Sequence, residues 1–85
     1  MTNYKPFLNV GPDDLIREEL EARGWTVPHL AQELELSPET VQQILTHQQP
    51  ITKSIAKRLS AVFGQSVQFW LNQEELYRAY QRHLS

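Results

Sequence analysis

The residues of this chain best suited to chemistry are short amides and hydroxyls gathered on one side of a helix. Pro38, Glu39, Gln42, Gln43 and Thr46 share that side, while Val41, Ile44 and Leu45 fall on the opposite one by i, i+3, i+4 spacing. A surface helix with no binding duty more often carries Lys and Glu. A polar but nearly uncharged face is suited to specific hydrogen bonding. The start of the helix is marked in the sequence. Ser37 is a good N-cap, Pro38 stands at the first helical position where its missing N–H is harmless, and Glu39 places negative charge at the positive end of the helix dipole. Leu36 and Val41 have the spacing of a hydrophobic staple.

The elements that must position this face can be read on either side of it. Residues 26–48, TVPHLAQELELSPETVQQILTHQ, predict a helix, a short turn and a second helix. Thr26 caps the earlier helix, with Trp25 and Leu30 at staple positions, and Leu30, Ala31 and Leu34 form its buried stripe. Upstream, a helix is expected from Pro12 to Gly24, with Asp13 and Asp14 in its first turn and Leu15, Ile16 and Leu20 facing inward. Glu19 and Arg23 form a favourable i, i+4 pair, and Arg17 is read as part of a solvated face rather than a phosphate contact. Downstream, a helix from a cap at Thr52 to Gly64 buries Ile55, Ala56, Leu59, Val62 and Phe63 and leaves Lys53 and Lys57 on its other side.

The last helix, from Ser66 towards Leu84, carries Phe69, Trp70, Leu71, Leu76, Tyr77 and Tyr80, a wider apolar spread than one core needs. Part of it is expected to form a dimer contact, through Trp70, Leu76, Tyr77 and Tyr80, because an exposed aromatic patch on so small a domain marks an interface. The alternative is that all of it packs within one chain. Residues 1–11 read as an N-terminal arm, too apolar at Tyr4, Phe7, Leu8 and Val10 for an ordinary tail; it is expected to pack on the domain, with ordering by a protein partner or a mobile arm with no role as the alternatives. Residues 12–85 form the domain proper, with the last helix serving dimerisation.

Eighty-five residues bound the answer to one small domain, near the size at which a single core suffices. There is no cysteine, so disulfide frameworks and thiolate metal sites are excluded. Neither a signal peptide nor a membrane-spanning apolar run is found, which leads us to expect a cytoplasmic protein. The formal net charge of −2 weighs mildly against nucleic-acid binding, yet from Thr40 through Gln73 there is no acidic residue, and Lys53, Lys57 and Arg58 are present. His29 and Glu33 have metal-ligand spacing but lack a third ligand in register. His47 reads as a helix-end residue and His83 as a tail residue. No Gly-rich phosphate loop or nucleophilic Ser, His and acid arrangement is found, so neither an enzyme nor a cofactor is expected.

From about Pro12 to Tyr80 the chain resembles the Xre-type helix-turn-helix proteins and, within them, the HigA-type antitoxins of toxin–antitoxin pairs. The resemblance is carried by IREELEARGW at 16–25, HLAQEL at 29–34, LSPETV at 36–41, QQPIT at 48–52 and FGQSVQFWLN at 63–72. It implies an all-α fold, a five-helix bundle of the phage-repressor-like helix-turn-helix type. It also implies a dimeric repressor that binds the operator of its own operon and neutralises a small ribonuclease toxin. Carried over to this chain, Pro38, Glu39, Gln42 and Gln43 would face base edges in the major groove. Gln can pair bidentately with adenine, and Glu39 can accept from cytosine N4. Ser37, Thr40, Thr46 and Gln48 are placed for phosphates, and Lys53 and Lys57 add charged contacts.

The chain departs from that pattern where the family commonly has Gly, at Glu35 in the turn and at His47 after the second helix, and where a basic loop is replaced by Gln48 and Gln49. These changes lower the expected DNA affinity without removing it. The competing reading is a protein-interaction module with little or no DNA binding. Its acidic residues, Asp13, Asp14, Glu18, Glu21, Glu33 and Glu35, would meet a basic partner.

Overall fold

A computed structural model describes residues 11–84, without the side chains of His83 and Leu84. Gly11 apart, the N-terminal arm lies outside the described residues. Five helices follow in order: α1 (Pro12–Arg23), α2 (Val27–Leu34), α3 (Pro38–Leu45), α4 (Lys53–Phe63) and α5 (Val67–Leu84). No strand occurs among the described residues. None of these helices is long and apolar enough to cross a membrane.

The helices begin where short hydroxyl side chains can satisfy their first free N–H groups. Thr26 accepts from His29 N–H at 3.3 Å, Ser37 from Thr40 N–H at 3.1 Å, Thr52 from Ile55 N–H at 3.3 Å and Ser66 from Phe69 N–H at 3.0 Å. The ends of the first three helices share one geometry. A residue turns into left-handed backbone, and the next N–H reaches back to a carbonyl five residues earlier in the chain. Trp25 bonds Leu20 at 2.9 Å, Leu36 bonds Ala31 at 2.9 Å and Gln48 bonds Gln43 at 2.8 Å. The left-handed residues are Gly24 (φ 69°), Glu35 (φ 61°) and His47 (φ 64°). Both positions where a glycine was missed therefore keep the conformation that favours one.

That conformation costs about 1 kcal/mol for a side chain bearing a Cβ. Glu35→Gly is accordingly expected to raise folding stability by about 1 kcal/mol, read from the urea midpoint. The side chain given up is 83% exposed and lies 3.6 Å from Arg58, an ion pair worth little in water. A fall in stability would show that this pair outweighs the backbone strain.

The inward faces of all five helices meet in one core, with Ile16, Leu30, Leu34, Val41, Leu59 and Trp70 almost fully buried. α2 packs on α3 and α4, α1 packs on α3 and α5, and α4 packs on α5. α3 is thus held from behind on two sides and leaves its outward face free. Trp70 corrects the expectation of a dimer contact. It is 0% exposed, with its ring edge-on to Phe69 at 5.4 Å and tilted against Phe63 at 6.2 Å. A side chain enclosed within its own fold has no surface left for a second copy.

Candidate nucleic-acid interface

Amphipathic spacing folds α3 so that Val41, Ile44 and Leu45 are buried, and this turns the polar residues outward. Pro38, Glu39, Gln42 and Gln43 are all exposed on one helix, as the spacing predicts. Ser37, Thr46 and Gln48 are also exposed and Thr40 is half-buried. Lys53 and Lys57 stand exposed on α4, and neither has an ion-pair partner among the described residues. The short loop after α3 connects this helix to the capped start of α4, where Thr52 leads into Lys53.

All three hydroxyls proposed for phosphates, those of Ser37, Thr40 and Thr46, are engaged within the fold. Thr46 Oγ1 donates to the Gln42 carbonyl at 3.0 Å, so its proton must turn away from the helix before it can meet a phosphate oxygen. Ser37 Oγ lies 2.9 Å from Thr40 Oγ1 and also accepts from Thr40 N–H. The amides of Gln42 and Gln43 make no such internal contact among the described residues.

The positive charge of this half of the molecule is divided by the fold. Arg58 donates to the Leu34 carbonyl at 2.9 Å and so closes the C-terminal end of α2. Arg17, read from sequence as a solvated residue, donates to the Leu45 carbonyl at 3.0 Å and closes the end of α3. Each guanidinium meets the negative end of a helix dipole as well as an unpaired carbonyl. Lys53 and Lys57 remain as outward cations on α4. Sequence reasoning missed both arginine caps because they join residues 28 and 24 positions apart, with no periodic signal between them.

The carboxylates divide as well. Asp13 is tied to His47 at 2.9 Å and faces Arg17 at 3.9 Å, and Asp14 accepts from Gly11 N–H at 3.4 Å. Glu33 pairs with His29 at 3.5 Å, but no group of three or more metal-ligating side chains forms among the described residues. Glu18 and Glu21 are exposed on α1.

On α5, Leu76 is 61% exposed, the exposed large apolar side chain of the described surface. Tyr80 is half-buried. Tyr77 lies flat on His47, with ring centroids 3.8 Å apart and planes 6° from parallel, so one of its faces is already covered. Burial, with the carboxylates of Asp13 and Glu74 nearby, pushes its phenol above the ordinary value of 10.0 and keeps the hydroxyl neutral.

No protein-family model matches the chain. Among curated proteins, the uncharacterized HTH-type transcriptional regulator YddM of Escherichia coli (strain K12) is 36% identical over 61 residues, covering 72% of this chain and 65% of that protein. The chain spans just under two thirds of the length of the curated relatives it matches, 65% and 64%. Among solved structures, the antitoxin HigA of Pseudomonas aeruginosa with the higBA promoter superposes with a TM-score of 0.80 at 30% identity, over 88% of this chain and 83% of that one. The chain belongs to the HigA-type helix-turn-helix family. An addiction module antidote protein of the HigA family from Coxiella burnetii agrees, with a TM-score of 0.78 at 30% identity over 85% of this chain and 79% of that one. Within the HigA-type frame, α2 and α3 are the helix-turn-helix pair, and Glu35 and His47 hold left-handed backbone at the end of each.

Proposed function

We propose that the chain is a sequence-specific DNA-binding repressor, the antitoxin of a type II toxin–antitoxin operon. It acts in the cytoplasm as a homodimer on its own operator and binds a small ribonuclease toxin. The observation that carries the DNA reading is the outward face of α3, where Pro38, Glu39, Gln42 and Gln43 stand exposed on a helix rigidly backed by core. A helix so presented enters the major groove, and its amides and carboxylate match base-edge donors and acceptors. Lys53 and Lys57, with the capped start of α4, supply the phosphate contacts that set its register. Promoter DNA accompanies the Pseudomonas aeruginosa HigA relative in its solved structure, which supports the same role here. Leu76 and Tyr80 offer the contact for a second copy, which would require a twofold operator with half-sites about one helical turn apart. Glu18 and Glu21 on α1 favour approach of a basic toxin.

Titration of the purified chain against duplex from upstream of its own gene and against a scrambled duplex, over a salt series, tests this reading. Tight, salt-dependent binding with preference for the upstream DNA is expected. No binding even at low salt, together with capture of a small basic protein from the native host, would replace it with the protein-only reading. Lys53→Ala should weaken both DNAs about equally and reduce the magnitude of the salt slope by about 1 per altered contact. A loss confined to the upstream duplex would move Lys53 from phosphate contact to base reading.

A further inference from the structure

His47 follows the end of α3 in left-handed backbone, at φ 64°. For folding alone, glycine would adopt this turn at lower cost. The imidazole is nevertheless held on two sides. Nε2 lies 2.9 Å from Asp13 Oδ1 at the start of α1, and the ring stacks on Tyr77 of α5 at 3.8 Å. Only 23% of the side chain is exposed. The same Asp13 carboxylate faces Arg17 Nε at 3.9 Å, and Arg17 Nη2 donates to the Leu45 carbonyl at 3.0 Å. Two struts thus run from the first turns of α1 to the end of α3, one meeting Leu45 and the other His47.

The turn at His47 also reaches directly into the reading face. It brings Gln48 N–H to 2.8 Å and Gln49 N–H to 3.1 Å from the Gln43 carbonyl, so the backbone of Gln43 is fixed by the path taken at His47. Packing of Val41, Ile44 and Leu45 holds α3 against the bundle, but dispersion is weakly directional. Hydrogen bonds and a parallel ring stack fix orientation, and base reading needs side chains held within roughly half an ångström. Space at this corner is tight. A Cβ on Gly11 would stand 2.8 Å from Asp13 Oδ1 and 3.0 Å from Tyr77 Cδ1.

We propose that His47 is a positioning residue for DNA reading, which through Asp13 and Tyr77 locks the end of α3 and with it the placement of Gln43. The inference rests on the DNA-binding role proposed above.

Its test compares wild type, His47→Gly and Tyr77→Leu by affinity for the upstream and scrambled duplexes, alongside thermal unfolding. His47→Gly gains backbone ease as it loses the two contacts, so its melting temperature should stay within a few degrees of wild type. Its preference for upstream DNA should fall about tenfold, with scrambled binding unchanged. Tyr77→Leu should lower the preference several-fold, and adding it to His47→Gly should lower it little further, since both remove one contact. If His47→Gly folds poorly, Tyr77→Leu carries the test alone. Wild-type preference in folded variants, or equal losses on both duplexes, would overturn the positioning role while leaving DNA reading in place. A wild-type chain without preference would remove the reading itself, and this inference with it.

Discussion

Trp70→Ala is expected to lose about 3–5 kcal/mol of folding stability, the range for removing a large aromatic side chain from a packed core. The indole is 0% exposed and lies between Phe63 and Phe69. Its Nε1 has no hydrogen-bond partner among the described residues, so the loss comes from the cavity and the missing contacts rather than from a broken hydrogen bond. A domain of 85 residues has roughly 4–13 kcal/mol of stability in hand, so the variant loses a large share of it and, at the low end of that range, sits near its unfolding midpoint. Trp70→Phe should retain most of the stability. Urea unfolding, with size-exclusion chromatography beside it, gives the reading. A Trp70→Ala protein that stayed as stable as wild type but became monomeric would restore this residue to a dimer interface.

Gln43→Ala should have the opposite profile, with folding unchanged and recognition impaired. The Gln43 side chain is exposed, and alanine is the better helix former, so no stability loss is expected. If the amide pairs bidentately with a base, its removal costs about 1–3 kcal/mol of discrimination, roughly 5- to 150-fold in the ratio of upstream to scrambled affinity. Scrambled binding should stay constant because phosphate contacts through Lys53 and Lys57 are untouched. Parallel titrations of wild type and variant provide the comparison. Equal losses on both duplexes would argue that Gln43 meets the backbone rather than a base.

The starts and stops of the helices were legible in the sequence because capping is local. Thr26, Ser37 and Thr52 each act within three residues, and Gly24 and Gly64 end helices by their own backbone freedom. The apolar stripes of α2, α3 and α4 were legible for the same reason, since each helix has one narrow inward face. α5 was not. Its apolar residues surround too much of the helix for periodicity to separate core from surface, and only packing shows that Trp70 is enclosed while Leu76 is out. The arginine caps were hidden because a carbonyl left free at a helix end is a three-dimensional fact. Nothing in the spacing of Arg17 and Leu45, or of Asp13 and His47, announces that they meet. The outward face of α3 was read correctly as a face, and its pairing with particular bases remains a proposal that the Gln43 variant addresses.

The exposed amides of α3 bear on how this chain can change over evolutionary time. Gln42 and Gln43 contribute their backbone carbonyls to the turn that follows, through bonds from Thr46, Gln48 and Gln49, and leave their side chains uncommitted. Replacing either side chain disturbs no internal contact of the described residues. On the proposed reading, scaffold and recognition are therefore separable. If these positions read bases, as proposed, single substitutions there would redirect a duplicated copy to a new operator without breaking a hydrogen bond of the scaffold.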